Sequence, residues 1–232
     1  MSWLARLLGT SPQLSGEQQA ALQAYRALAD SDAGASPAAQ RFVVVDVETT
    51  GLNLSSDRLI AIGAVTVAGG VLNLGQGFEA VLRQDEASSV ENILVHGIDG
   101  TTQTTGQTPA EGLLAFLAFI GNAPLVAYHA AFDRTMMDRA TLQYLGMTLG
   151  NPWIDLAYIA PALYPHRAAS CRALDDWTAA FHIENPQRHH AVADAYATAQ
   201  LLLVLLARAQ GSKATYLKDL LQLEKDQRWL SR

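Results

Sequence analysis

The stretch that decides the fold is RFVVVDVETTGL, Arg41–Leu52. Its Phe and Val residues have the composition of a strand, yet Asp46 and Glu48 interrupt the run before a turn at Gly51. Residues two apart in a strand share a face, so both carboxylates project together while Val43, Val45 and Val47 point into a core. Two like charges that close repel unless something positive lies between them. A divalent cation on oxygen ligands, Mg²⁺ or Mn²⁺, meets that need. Two acids facing solvent at a strand's end meet it as well, and Asp-x-Glu alone does not choose between them.

Outward from this stretch, Arg58–Val67 and Gly75–Leu82 read as two more strands across Gly- and Asn-containing turns, which predicts an antiparallel meander. Helical patterns follow at TPAEGLLAFLAFIG, with Thr108 as cap and Pro109 at the first helical position. An apolar strand, PLVAYH, then leads into a helix from Ala130 to about Leu145, and PWIDLAYIAPAL reads as a strand followed by a helix. Two more helices are expected over Cys171–Phe181 and His190–Arg208, and a last amphipathic segment from Ser212 to about Leu223. Strands first, then alternating helix and strand, imply an α/β layer with a mixed sheet.

Before this unit, Ser15–Ala29 has a helical pattern with Ser15 as N-cap, and Asp30–Gln40 is a small-residue linker. The organisation expected is an N-terminal helical appendage and linker over 1–40, a main domain over 41–210 and a C-terminal helix over 211–232. The appendage reads either as a helix packed on the domain or as an arm that docks a partner.

The composition bounds what such a chain does. Half of the 232 residues are hydrophobic and 16% are charged, as in a compact globular protein rather than a disordered one. A formal net charge of −6 argues against a protein that coats nucleic acid through a basic stripe. Cys171, the single cysteine, excludes an internal disulfide framework, suits a reducing compartment and reads as a small core residue on a helix. MSWLARLLGT lacks the pattern of a secretory leader. The apolar run Ala195–Gln210 contains Gln200 and Arg208 and falls short of the roughly 18 consecutive apolar residues of a membrane helix. These features fit a soluble, cytoplasmic protein without a membrane span.

Two more acids stand out. Asp133, in VAYHAAFDRTMMDRA, falls in the first turn of a helix that follows a strand, a joint where open α/β sheets build sites; the helix dipole alone would also favour an acid there. Asp194, in RHHAVADAYATAQLL, sits among small residues on a helix that must be largely buried. A buried carboxylate needs a partner, and His189, five residues earlier, is placed to serve a neighbouring site as proton acceptor.

Taken in order, DVETTGL, YHAAFD and HHAVAD resemble the three motifs of the DnaQ-like DEDD 3′–5′ exonucleases, in the subgroup with a histidine in the third motif. That subgroup includes the proofreading epsilon subunit of bacterial DNA polymerase III. The resemblance spans about Arg41–Arg208 and implies a ribonuclease H-like fold, a five-stranded mixed sheet flanked by helices. It implies that Asp46, Glu48, Asp133 and Asp194 hold two Mg²⁺ or Mn²⁺ ions, with His189 as general base. Thr49, Gly51 and Leu52, together with His96 and His129, become the candidate substrate contacts. His129 stands where the second motif usually has Asn. Arg134, Arg172 and Arg188 are candidate phosphate contacts.

The function so implied is hydrolysis of single-stranded DNA from its 3′ end to 5′-mononucleotides, in proofreading or repair, with a DNA polymerase as possible partner. Two alternatives stay open: the same chemistry on RNA or short oligoribonucleotides, and a catalytically idle binding subunit.

Overall fold

The structure is a computed structural model that describes residues 12–37, 39–211, 214 and 216–231. The stretch MSWLARLLGT, residues 1–10, lies outside the described residues, as do Ser212 and Lys213 at the start of the last expected segment.

The meander forms as expected from β1 (Arg41–Thr49), β2 (Leu59–Ala68) and β3 (Val71–Val81). β3 begins at Val71 rather than Gly75. The reversal is made by Gly69 and Gly70, both in the left-handed region at φ 61° and 73°, which a tight hairpin loop favours. A register shift opposite Val65 and Thr66 then carries β3 past Asn73 and Gly75, residues that look like a turn in the sequence. β4 (Leu125–Ala127) and β5 (Trp153–Asp155) add on the other side of β1 in parallel, giving the order β3-β2-β1-β4-β5.

The described helices are α1 (Gly16–Arg26), α2 (Val90–His96), α3 (Gly100–Thr105), α4 (Pro109–Ile120), α5 (Ala130–Leu145), α6 (Leu156–Leu163), α7 (Leu174–Ala180), α8 (Ala191–Gln210) and α9 (Leu217–Leu230). Capping boxes at Ser15 with Gln18 and at Thr108 with Glu111 start α1 and α4 where the sequence places them. α2 and α3 are not anticipated. They are two turns or fewer, started by Ser89 and Asp99, and α3 reads GTTQTT with no apolar period. α7 begins at Leu174 rather than Cys171, because the Asp176 carboxylate accepts the Arg172 and Ala173 amides at 2.8 and 2.9 Å and holds the entry extended. Cys171 is a free, buried thiol in the segment before that helix.

β1 is covered on both faces. Val43, Val45 and Val47 pack with Leu113, Phe116 and Ile120 of α4 and with Met136 and Met137 of α5, and α1 adds Leu22 to this layer. Phe42 and Val44 face the other way, onto Leu201, Leu202 and Leu205 of α8 and onto Trp177. α8 is long and apolar enough to cross a membrane by length and composition alone, but 56% of its most apolar window is buried in this layer.

One residue admits α8 to the sheet. Gly63 of β2 pairs with Asp46 across the β1–β2 ladder. A Cβ on Gly63 would lie 2.2 Å from the Ala191 carbonyl carbon and 2.3 Å from the Val192 nitrogen. Both contacts are backbone, so the clash can be relieved only by moving the helix. Gly63→Ala is therefore expected to cost at least about 1–3 kcal/mol, the usual range for overpacking, seen as a lower melting temperature and urea midpoint. An unchanged midpoint would show that α8 can shift without cost.

Candidate functional site

The row Phe42, Val44, Asp46, Glu48 runs along the α8-facing side of β1, so the two acids continue an otherwise apolar row. Asp194 lies in the first turn of α8, which Gly63 lets down onto the sheet. Ligand oxygens of Asp46, Glu48 and Asp194 all lie within 4.8 Å of one another. Asp133, buried in the first turn of α5, stands outside this trio, although its charge acts on both Asp46 and Glu48.

This crowding raises the carboxyls' affinity for protons. Burial, then the charges of Asp194 and Asp133, push the Glu48 carboxyl up to about 8. Burial pushes Asp133 up to about 8 against the backbone amides that favour its charge. Asp46 is held well above the ordinary carboxylate range by burial and then by Asp133 and Glu48. Glu48 Oε1 is buried and has no hydrogen-bond partner among the described residues. A set of oxygen donors that are close together, short of positive charge and partly unpartnered suits a hard divalent cation.

Asp194 is better provided for. Its Oδ1 accepts from the Asn185 amide and the Arg188 guanidinium, and its Oδ2 accepts the His189 backbone N–H at 2.8 Å. Arg188 also pairs with Asp175 at 2.7 Å. The partners that this buried acid needs are thus Arg188, Asn185 and the His189 amide, and Arg188 is engaged inside the site. Arg134 pairs along its own helix with Asp138 at 3.5 Å. Arg172 is exposed, and its backbone carbonyl accepts from Tyr128 Oη at 3.0 Å.

His189 is exposed and left-handed, at φ 62°. With Arg188, His190, Leu94, Val95 and His96 it lines a cleft of about 500 Å³ beside the acids. His96 is only 3% exposed. Its Nδ1 accepts the Ile98 amide at 2.9 Å, so Nε2 carries the proton and donates to Asn92 Oδ1 at 2.9 Å. Burial holds its imidazole below the ordinary histidine range. Asn92 in turn donates to the Thr49 carbonyl at 3.0 Å. His96 therefore stiffens the turn after β1, with both ring nitrogens already used.

That turn is held on every side. Thr49 Oγ1 donates to the Gly51 carbonyl at 2.7 Å, and Asp57 accepts from Thr50 Oγ1 at 2.8 Å and from the Asn53 amide at 2.7 Å. A side chain on Gly51 would run into Asp57 Oδ2, at 2.6 Å. Arg139 of α5 ties the carbonyls of Ser55 and Asp57 at 3.1 and 2.9 Å. Leu52 rides on this braced turn 84% exposed.

His129 is exposed and precedes α5 in the left-handed conformation, φ 64° and ψ 44°, and its amide donates to Asp155 Oδ1 at 2.9 Å. Asn and His are both enriched in that conformation, so His in place of the usual Asn preserves the turn. Sequence reasoning missed Gly63, Asn92, Asn185 and Asp155. A lone Gly within a strand pattern signals close backbone approach, and Asp at a strand-to-helix joint signals a cap; both signals were present in GAV and WIDLA.

Residues 43–202 match the model of a family described as exonuclease, RNase_T. Relatives include the PolC-type DNA polymerase III of Oceanobacillus iheyensis, 34% identical over 172 residues, which are 72% of this chain and 11% of that protein. The PolC-type polymerase of Bacillus subtilis is 33% identical over 187 residues, 78% of this chain and 12% of that protein. The chain thus spans only 11–12% of these curated relatives. Among solved structures, E. coli Exonuclease I in complex with a dT13 oligonucleotide superposes with a TM-score of 0.64 at 19% identity, over 74% of this chain and 42% of that one. Exonuclease X in complex with 5′ overhanging duplex DNA gives 0.60 at 20% identity, over 77% of this chain and 98% of that one. The fold expected from the sequence, a ribonuclease H-like mixed sheet flanked by helices, is the fold observed.

The raised carboxyls set a pH dependence for the metal-free protein. The folded state keeps protons that the unfolded chain releases near pH 4, so this contribution to stability is full below that pH and is lost as pH climbs towards about 8. In EDTA, the melting temperature of the wild type is expected to fall relative to that of Asp46→Asn between pH 5 and pH 8. Parallel curves for the two proteins would show that the acids are not crowded in the folded state.

Proposed function

The chain belongs to the exonuclease family, and from that premise we propose that it is a metal-dependent 3′–5′ exonuclease releasing 5′-mononucleotides from single-stranded DNA. The observation that carries this reading is the trio Asp46, Glu48 and Asp194, with ligand oxygens within 4.8 Å and one Glu48 oxygen buried without a partner among the described residues. These three residues and Asp133 would hold two Mg²⁺ or Mn²⁺ ions. When bound, such ions supply an activated water and a positive field for the departing 3′ oxygen. His189, exposed at the rim and tied through its backbone to Asp194, would serve as the base that accepts a proton from the attacking water.

The cleft beside the acids and the braced turn with exposed Leu52 offer the terminal nucleotide an apolar contact next to hydrogen-bonding groups. The backbone beneath Leu52 is already fixed, so its apolar surface is offered without the cost of ordering the turn. The PolC-type relatives and the oligonucleotide in the Exonuclease I complex support DNA as the substrate, and those relatives support a polymerase as partner. Acids at all four positions and a histidine at the fifth speak against an idle binding subunit.

The test is release of labelled mononucleotide from 3′-labelled single-stranded DNA with Mg²⁺ or Mn²⁺. Asp46→Ala and EDTA are each expected to abolish it, and His189→Ala to slow it at least about 10²-fold. RNA oligonucleotides in the same tube identify an RNA enzyme if they are consumed first. No mononucleotide from either strand type would overturn the reading.

A further inference from the structure

The C-terminal helix α9 lies beyond the residues that the family model matches, yet it reaches the joint from which Asp133 is held. Its buried Glu224 accepts the Asp155 backbone N–H at 3.1 Å through Oε2 and the Arg228 guanidinium at 2.6 Å through Oε1. Arg228 stands 3.6 Å from Asp155 Oδ2, its guanidinium 4.5 Å over the ring of Tyr158. Two buried acids this close are costly without a paired cation, and Arg228 pairs with both.

Asp155 ends β5 and is 2% exposed. Its Oδ1 accepts amides from the starts of two helices, Ala157 of α6 at 3.0 Å and His129 ahead of α5 at 2.9 Å. One carboxylate thus serves two helix N-termini, where a negative charge is favoured. His129 makes no capping hydrogen bond with its own side chain, so the Asp155 carboxylate is what fixes the left-handed turn four residues ahead of Asp133.

We propose that Asp155, clamped by Glu224 and Arg228, is a positioning residue that sets Asp133 against Asp46 and Glu48 through the His129 turn. The C-terminal helix is then a working part of the nuclease, and this inference rests on the nuclease reading above. A shift of about 1 Å in a group near the chemistry costs on the order of 10²-fold in rate, so a turn held by one carboxylate is a sensitive point.

The experiment compares full-length Asp155→Ala, Asp155→Asn, Arg228→Met and Arg228→Lys by steady-state cleavage of 3′-labelled DNA and by Mn²⁺ binding without nucleic acid, followed by electron paramagnetic resonance. Asp155→Ala is expected to lower kcat and weaken Mn²⁺ binding by about 10- to 100-fold, the cost usual for groups that orient metal ligands. At saturating Mn²⁺, kcat is expected to fall further than KM for the oligonucleotide rises, because the hydrogen bonds that brace the turn carrying Leu52 do not involve Asp155. Asp155→Asn still accepts both amides and keeps most of the activity. Arg228→Met falls between, and Arg228→Lys returns towards the wild type.

Wild-type kcat and Mn²⁺ binding in Asp155→Ala would overturn the proposal, as would a rise in KM with kcat unchanged. If Asp155→Ala fails to fold, Arg228→Met decides by the same readouts, since that side chain is 35% exposed and can be shortened without a cavity. A wild type that binds Mn²⁺ but cuts nothing sinks the nuclease reading alone, and the variants' Mn²⁺ isotherms still judge the positioning. A wild type that neither cuts nor binds Mn²⁺ overturns both.

Discussion

The candidate centre depends on one close approach, the backbone of the first turn of α8 against β2 at Gly63. Gly63 is the ladder partner of Asp46, so the contact and the acids lie in the same row. A methyl group there would lift the helix and carry Asp194 away from Asp46 and Glu48. The rest of α8 is held by leucines packed on Phe42 and Val44, so apolar burial supplies the force and the glycine sets how near the helix comes. Beyond Glu48 the β1–β2 register slips, and β1 leaves the ladder to make the braced turn that carries Leu52.

Four carboxylates in one region repel, and the fold offsets that repulsion unevenly. Asp133 and Asp194 occupy first helical turns, where backbone amides and the helix dipole favour negative charge. Asp194 also has Arg188 and Asn185. Asp46 and Glu48 lie on a strand and have no such dipole, and one Glu48 oxygen has no partner among the described residues. The centre is therefore best supplied at Asp194 and short of positive charge at Asp133 and along its strand side. That asymmetry is the physical ground for reading β1 as the edge where a cation adds most.

The meander, the parallel pair and the helix after β4 were legible in the sequence because each carries its own period and its own stop signals. So were the acids, since i and i+2 on a strand can be placed without knowing what packs over them. Asn185 and Arg188 could not be assigned to Asp194, because the loop before α8 has no period and its partners are fixed only by how it folds back. The expected role of His96 shows the same limit. Its place in VHGI is readable, but its burial depends on α2, a helix of seven residues started by a single serine. The reach of α9 to Asp155 is a contact across 69 residues of sequence, beyond any local pattern.

A chain of net charge −6 gains nothing from its overall field when it meets a polyanion. Nor do the arginines nearest the acids supply local attraction freely, since Arg188 is bound to Asp194 and Asp175 and Arg134 to Asp138. On the proposed reading, the positive field that meets a phosphate must come from cations held by the carboxylates themselves. The same acids that repel a nucleic acid in the metal-free protein then become the means of gripping one. Affinity for substrate and affinity for metal are in that case one property of β1, and the crowding of Asp46 and Glu48 is what couples them.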